Sequence, residues 1–138
     1  MTKDFVYDFI KRHPLGIVAT ISPDQKPEAA LVGIAGTEDL EIIFDTVKTS
    51  RKYQNIIQNP NVAVVIGWEN ETTVQYEGLA TELIGEDAIR FKETYFEIYP
   101  DGRERAETWP GLVHFKITPT WVRYSNFKIP MLIEEMTF

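Results

Sequence analysis

The sequence predicts a mainly β domain of the α+β class, built as an antiparallel barrel with peripheral helices. Segments rich in β-branched and aromatic residues recur along most of the chain, separated by short turns that contain Pro, Gly, Asp or Asn. Helical patterns fall between these segments without the strict strand–helix alternation of a parallel sheet. Because the chain has 138 residues and shows no linker or repeat, we expect a single domain over residues 1–138.

The first half of the chain is predicted to contain two helices and four strands. The expected elements are a helix at 2–12, strands at 15–21, 28–35 and 40–46, a helix at 50–58 and a strand at 62–68. The turns at 22–26 and 36–39 are short, which predicts an antiparallel meander of the first three strands. Because the strand at 62–68 is almost entirely apolar, we expect it to be buried on both faces.

The second half is predicted to continue the sheet around one long helix. The expected elements are a strand at 72–83, a helix at 85–98 and two strands at 112–118 and 121–127. The polar stretch at 99–110 is expected to be a loop. His114 alternates with Val113 and Phe115, so we expect it to face solvent or a subunit boundary. The tail at 128–138 is apolar enough to pack, and a partner subunit is one surface available to it.

Composition limits both the chemistry and the partners. The chain contains no cysteine and only two histidines, which removes disulfides, thiolate nucleophiles and zinc–cysteine sites, and no metal site is expected. A formal net charge of −7 repels nucleic acid and anionic membrane surfaces. No apolar run approaches the roughly 20 residues that cross a bilayer. We therefore expect a cytoplasmic protein that contacts neither nucleic acid nor membrane.

Positive charge is concentrated between the third strand and the second helix. Ser50 is a good N-cap residue, and Arg51 and Lys52 follow it in the first helical turn. That turn normally favours Asp or Glu, since the helix dipole makes it electropositive, and each cation there costs on the order of a few tenths to 1 kcal/mol. A bound phosphate removes the conflict, because free N–H groups, the hydroxyl and both cations would point at it. The alternative is that the two cations are solvated or paired with some of the 21 acidic residues.

The ordered motifs around this segment resemble the pyridoxamine 5′-phosphate oxidase family of FMN-binding split-barrel proteins. The family pattern is an aromatic-x-Thr strand end, a short loop, Ser-Arg-Lys, a helix that ends in Asn-Pro, a hydrophobic strand and a later strand that ends in Gly-x-Ala. The matching segments are Phe44-Asp45-Thr46, Ser50-Arg51-Lys52, Asn59-Pro60, Val62-Ala63-Val64-Val65 and Gln75-Tyr76-Glu77-Gly78-Leu79-Ala80. The resemblance is strongest over residues 15–84.

The resemblance implies an FMN-binding flavoprotein that acts as an oxidoreductase on an unknown substrate. Ser50, Arg51 and Lys52 would hold the FMN phosphate. The other residues implied to contact the flavin are Ala30, Leu31 and Val32 along the ring, Asp45 and Thr46 nearby, and Gln75 or, in its place, Thr73. The family also implies a homodimer in which the flavin site lies at the subunit interface.

Two departures from the family pattern bear on the substrate. The oxidases of the family carry an Arg where this chain has Glu28, Ala29 or Ala30, and a Trp where it has Ser125, which argues against pyridoxamine 5′-phosphate as the substrate. Three interpretations stay open: an FMN-dependent oxidoreductase, a non-enzymatic module that binds flavin or haem, and a reductase that uses a deazaflavin coenzyme, whose tail also bears phosphate. Haem would need an axial ligand, and the two histidines of the chain, His13 and His114, are the candidates for it.

Overall fold

A computed structural model describes residues 1–138 apart from the side chain of Asp87, and these residues form four helices and eight strands. The helices are α1 (Lys3–Arg12), α2 (Arg51–Gln58), α3 (Asp87–Ile98) and α4 (Asp101–Thr108). The strands are β1 (Leu15–Ile21), β2 (Pro27–Gly33), β3 (Ala35–Gly36), β4 (Ile42–Val47), β5 (Asn61–Ile66), β6 (Thr72–Glu82), β7 (Leu112–Asn126) and β8 (Leu132–Thr137). Of the helices in the described part of the chain, none is long and apolar enough to cross a membrane.

The strands form one antiparallel sheet that curls towards closure. Its order is β2-β1-β5-β6-β7-β4-β3, and β8 pairs with the second half of β7. The two ends of this order, β2 and β3, are separated in the chain only by Ile34, so the sheet returns on itself. The predicted mainly β split barrel with peripheral helices is confirmed. The predicted meander is wrong: the strand expected at 28–35 breaks at Ile34, and β4 pairs with β3 and β7 rather than with β2.

A single long strand, β7, replaces the two strands predicted at the end of the domain. Its first half pairs with β4 and its second half with β8, while β6 pairs with residues 115–126 on the other edge. The register shifts where Pro119 stands opposite Gly78, because proline cannot donate to the ladder. Gly78 permits the close approach, since a Cβ there would lie 2.4 Å from the carbonyl oxygen of Thr118. The expected strand boundary is therefore an irregularity within one strand.

The predicted loop at 99–110 is wrong, because most of it forms α4. Its sequence lacks an apolar stripe, and of its described residues only Gly102 is buried. Charge holds the helix instead. Two acidic residues occupy its electropositive first turn, and Arg103 donates two hydrogen bonds of 2.9 and 2.8 Å to the Glu93 carboxylate on α3. Periodicity in hydrophobicity, on which the prediction rests, does not detect a helix of this kind.

Two hydrophobic clusters lie on opposite faces of β4. The larger one fills the inside of the curled sheet beneath α1 and α2 and includes Phe44. The smaller one lies beneath α3 and includes Ile43. Because alternate residues of a strand face opposite sides, Thr46 lies on the α2 side and Asp45 on the side of α3 and α4.

The strand β5 is buried on one face rather than on both. Its residues alternate, with Val62, Val64 and Ile66 in the core and the intervening residues exposed. The prediction that this apolar strand is buried on both faces is therefore wrong, since Val65 is 38% exposed on the outer face of the sheet. An apolar strand whose outer face is open indicates a surface that another chain can cover.

Candidate functional site

The candidate site lies at the split of the barrel, between β2 and β4, where α2 begins. β2 is an end strand of the sheet, and within the described residues its second edge has no strand partner. β4 approaches this edge without pairing to it. We call this feature the β2–β4 seam and define it by residues 28–32, 45–46 and 50–52. A cleft of about 100 Å³ opens in it, lined by Thr20, Glu28, Ala29, Ala30, Arg51 and Lys52.

The three β2 residues predicted along the flavin ring lie in the seam, with Ala30 and Val32 on the inner side of the strand and Leu31 on the outer side. Ala30 lines the cleft, Val32 is buried in the core, and Leu31 is 57% exposed on the outer face of the sheet. They share the edge of β2 that faces β4. Backbone N–H and C=O groups at an edge without a strand partner can bond a ligand.

Ser50 caps α2 and links it to β4. Its Oγ accepts a hydrogen bond from the backbone N–H of Tyr53 at 3.2 Å and another from the Thr46 hydroxyl at 2.9 Å. These bonds use the lone pairs of the Ser50 oxygen, so its own proton remains available to a further acceptor. Thr46 is itself buried and acts here by orienting Ser50.

Arg51 pairs with an acidic residue, Glu28. Its Nη1 lies 2.8 Å from Glu28 Oε2. The other carboxylate oxygen, Oε1, accepts a hydrogen bond of 2.8 Å from Asn55 Nδ2, which also donates to Thr20 Oγ1 at 2.9 Å. Asn55 and Thr20 are buried, whereas the Arg51 side chain is 76% exposed. In this structure Arg51 is therefore paired with an acidic residue of its own chain, which is the alternative to phosphate binding considered from the sequence.

Lys52 lines the cleft and makes no ion pair within the described residues. It is half-buried. Burial and then repulsion from Arg51 lower the pKa of its ammonium group, and Asp45 opposes this shift. A partly desolvated cation beside a second cation is a local excess of positive charge, which an anion would neutralise.

Asp45 joins β4 to α4 beside the seam. Its Oδ2 lies 3.3 Å from Arg105 Nη2, and both side chains are largely buried, with exposures of 16% and 20%. Arg105 also pairs with Asp101 at 2.7 Å within α4. The predicted seam residue Asp45 is thus held by an arginine from the helix that sequence reasoning missed.

Gln75 lies outside the seam of its own chain. It is exposed on β6, which β1 and β5 separate from β2. Gln75 belongs to a row of cross-strand neighbours on the outer face of the sheet. From β2 to β8 this row contains Leu31, Ile17, Val65, Gln75, Arg123 and Glu135. Thr73, its alternative, points to the same side of β6.

The prediction that His114 faces solvent or a subunit boundary is wrong, because α3 covers it. Its ring is 2% exposed and meets the rings of Tyr95 and Phe96 edge-on, each at a centroid distance of 5.5 Å. Its Nε2 has no hydrogen-bond partner in the described part of the chain. Burial lowers the pKa of His114. The described residues also contain no group of three or more His, Cys, Asp or Glu side chains placed to hold a metal ion.

Sequence reasoning missed the contacts that shape the cleft around Arg51. Glu28 is visible in the sequence only as a departure from the family pattern. Thr20 and Asn55 meet Glu28 only after β1 and β2 pair and α2 docks, since Thr20 stands opposite Glu28 in the ladder. The signal that would have indicated this cluster is the presence of two polar residues, Thr20 and Glu28, on adjacent predicted strands, together with Asn55 on the helix that packs against them.

The split barrel and its cationic seam define a class of protein, and comparison with known proteins gives the family. The family model described as pyridoxamine 5′-phosphate oxidase matches residues 2–126. The chain therefore belongs to the pyridoxamine 5′-phosphate oxidase family, and the resemblance noted from its motifs is confirmed.

Individual relatives show how far this similarity extends. The pyridoxine/pyridoxamine 5′-phosphate oxidase of Acaryochloris marina is 34% identical over 88 residues, which are 63% of this chain and 38% of the relative. The chain thus matches under two-fifths of that enzyme's length.

Solved structures at low identity show the same fold. A heme binding protein from Mycobacterium smegmatis has a TM-score of 0.83 at 12% identity, over 99% of this chain and 58% of its own. A pyridoxamine 5′-phosphate oxidase-related, FMN binding protein from Nostoc punctiforme has a TM-score of 0.70 at 12% identity, over 98% and 95% of the two chains.

Proposed function

We propose that this chain binds FMN in the β2–β4 seam and is an oxidoreductase that acts on a small molecule. The observation that carries the proposal is Lys52, a half-buried cation without an acidic partner among the described residues, next to Arg51 and Ser50 at the start of α2. A phosphate monoester suits this combination, because it accepts hydrogen bonds from N–H groups, a hydroxyl and cations together. Family membership and the FMN-binding relative support FMN as its source.

The residues of the seam fit the phosphate of this cofactor. Ser50 has a proton to donate, Lys52 supplies a positive charge, and Arg51 supplies a second one when it leaves Glu28. Ala30 is small and leaves the cleft open beside them. When bound, FMN supplies the redox chemistry. The part of this chain is to bind and orient the cofactor.

A second copy of the chain is part of the proposal. The cleft of about 100 Å³ is small beside the roughly 300–1,000 Å³ of typical small-molecule sites, so one chain provides only part of a flavin site. The outer face of the sheet offers an apolar surface for a partner, with Leu31, Val65 and Leu79 exposed by 57%, 38% and 41%. Gln75 lies on this face and in a dimer would contact the partner rather than its own seam.

The seam does not favour pyridoxamine 5′-phosphate as the substrate. Glu28 lines the cleft, and a second phosphate group would add to the negative charge there. Ser125, at the place of the family's Trp, is 3% exposed and does not present the aromatic surface that a Trp would. We therefore propose a small organic substrate without a phosphate group of its own.

The two other interpretations place different demands on the chain. Haem needs an axial ligand, and Tyr95 and Phe96 enclose His114. The remaining candidate for an axial ligand is His13. Its Nδ1 is hydrogen-bonded to the Phe9 carbonyl at 2.7 Å, which leaves Nε2 free to bind a metal. A deazaflavin coenzyme would use the same phosphate contacts as FMN. A Soret band in the loaded protein would favour haem, and tighter binding of a deazaflavin than of FMN would favour the third interpretation.

The test of the FMN proposal is to remove both cations at the start of α2. We expect Arg51→Ala/Lys52→Ala to weaken FMN binding about 30- to 100-fold, because charge-assisted hydrogen bonds contribute about 1.5–3 kcal/mol each and Arg51 is largely exposed. The measurement is quenching of FMN fluorescence on titration with protein. Circular dichroism of the variant establishes that it is folded.

The matched control is Lys11→Ala/Arg12→Ala. It removes an adjacent Lys–Arg pair from the last turn of α1, outside the seam, and changes the net charge by the same amount. We expect this variant to retain wild-type FMN affinity. If Arg51→Ala/Lys52→Ala also retained it, the phosphate assignment would be wrong.

A further inference from the structure

Glu28 places a carboxylate inside the cationic cluster of the seam. Its two oxygens lie 2.8 Å from Arg51 Nη1 and 2.8 Å from Asn55 Nδ2, and its side chain is 20% exposed. It lines the same cleft as Lys52. A negative group therefore stands where the proposed ligand would bring its own negative charge.

Buried neighbours fix the position of Glu28, whereas its partner Arg51 extends into solvent. Asn55 and Thr20, at 3% and 1% exposure, form a hydrogen-bonded anchor on one side of the carboxylate. Arg51 is 76% exposed, and an exposed ion pair of this kind contributes little to stability. Arg51 can therefore leave Glu28 for a ligand, while Glu28 remains beside it.

We infer that Glu28 is a specificity-determining residue whose carboxylate competes with the ligand phosphate for Arg51 and so lowers the preference of the seam for FMN over riboflavin. The inference rests on the proposed flavin function. A phosphate dianion must break the Glu28–Arg51 pair and then sit near a fixed carboxylate, and both effects oppose binding. Riboflavin has the same ring and ribityl chain without the phosphate, so it meets neither effect.

The experiment compares FMN and riboflavin binding to the wild type and to Glu28→Gln. Glutamine has nearly the same shape and can still accept a hydrogen bond from Asn55, but it carries no charge. We expect Glu28→Gln to bind FMN about five- to tenfold more tightly, and riboflavin as the wild type does. Dissociation constants come from quenching of flavin fluorescence in parallel titrations.

The matched control is Glu41→Gln, which removes one negative charge from an ion pair outside the cleft. Glu41 Oε2 lies 3.2 Å from Lys116 Nζ, and its side chain is 17% exposed, close to the value for Glu28. We expect this variant to bind both flavins as the wild type does. A general effect of net charge would instead tighten FMN binding in both variants and would overturn the inference.

The remaining outcomes are also decisive. Unchanged FMN affinity in Glu28→Gln, or weaker binding of both flavins, would overturn the inference, the latter because Glu28 would then be a ligand for the ribityl chain. If Glu28→Gln does not fold, Glu28→Asp withdraws the carboxylate by one methylene group, and a smaller gain in FMN affinity alone is expected. A wild-type protein that binds neither flavin contradicts the proposed function itself.

Discussion

Individual side chains show where local sequence is informative and where it is not. The conflict between the helix dipole and Arg51-Lys52 is contained in three consecutive residues, so the sequence alone indicates an anion site after Ser50. In the structure the two cations differ in their partners: Arg51 pairs with Glu28, whereas Lys52 has no acidic partner among the described residues. That difference depends on the pairing of β1 with β2, which no local pattern contains.

His114 provides a prediction about pH. Burial beneath α3 lowers its pKa below the usual value of 6.5; Asp45 opposes this shift, and Lys92 and Arg105 add to it. The folded protein therefore binds this proton more weakly than the unfolded chain does. The free energy of unfolding should keep its full value above about pH 6.5 and fall as the pH drops from there through the folded pKa, by up to about 1.4 kcal/mol per unit.

The variant His114→Leu should show a shallower decline over this range. Leucine cannot be protonated, and it also removes the Nε2 atom that lacks a hydrogen-bond partner among the described residues. Urea unfolding followed by circular dichroism between pH 5 and 7.5 gives the free energy of unfolding for both proteins. Parallel pH curves for wild type and variant would rule out His114 as the source.

Among helices and strands, those with a strong periodic pattern were predictable. The helices α1, α2 and α3 and most strands lie close to their expected positions, because one apolar face per element is enough to reveal them. The helix α4 was not predictable, because ion pairs such as Arg105–Asp45 hold it against the sheet and it has no apolar face. The outer face of β5 reads as core in the sequence, although the chain itself does not bury it.

The apolar outer face of β5 predicts self-association. Val65 lies between Ile17 of β1 and Gln75 of β6 on the face that we propose a second copy covers. Val65→Lys should convert a dimer to a monomer, because a charge in the centre of an apolar interface must be desolvated without a partner. Sedimentation velocity measures the oligomeric state.

The control for this variant is Ile89→Lys. Ile89 is 59% exposed on α3, which packs against β3, β4 and α4, so the same kind of substitution there should leave the dimer intact. A wild-type protein that sediments as a monomer, or a Val65→Lys variant that remains dimeric, would contradict the proposed interface.

The whole molecule carries information that its parts do not. The fold class follows from strand content and turn spacing, and an ordered set of motifs was enough to indicate the family, which the match over residues 2–126 confirms. The order of strands was not predictable. The seam exists because β4 pairs with β7 and leaves the edge of β2 open. This pairing joins residues far apart in the sequence and depends on how the whole sheet closes. The same closure brings residues 28–32 next to the start of α2 and leaves Gln75 outside.

The most direct test of FMN binding is the visible absorption spectrum of the purified protein, recorded before and after addition of FMN and removal of the excess. We expect flavin bands at about one FMN per chain, with FMN released on denaturation. A protein that stays colourless after loading, and that leaves the fluorescence of added FMN unquenched, would contradict FMN binding in the seam.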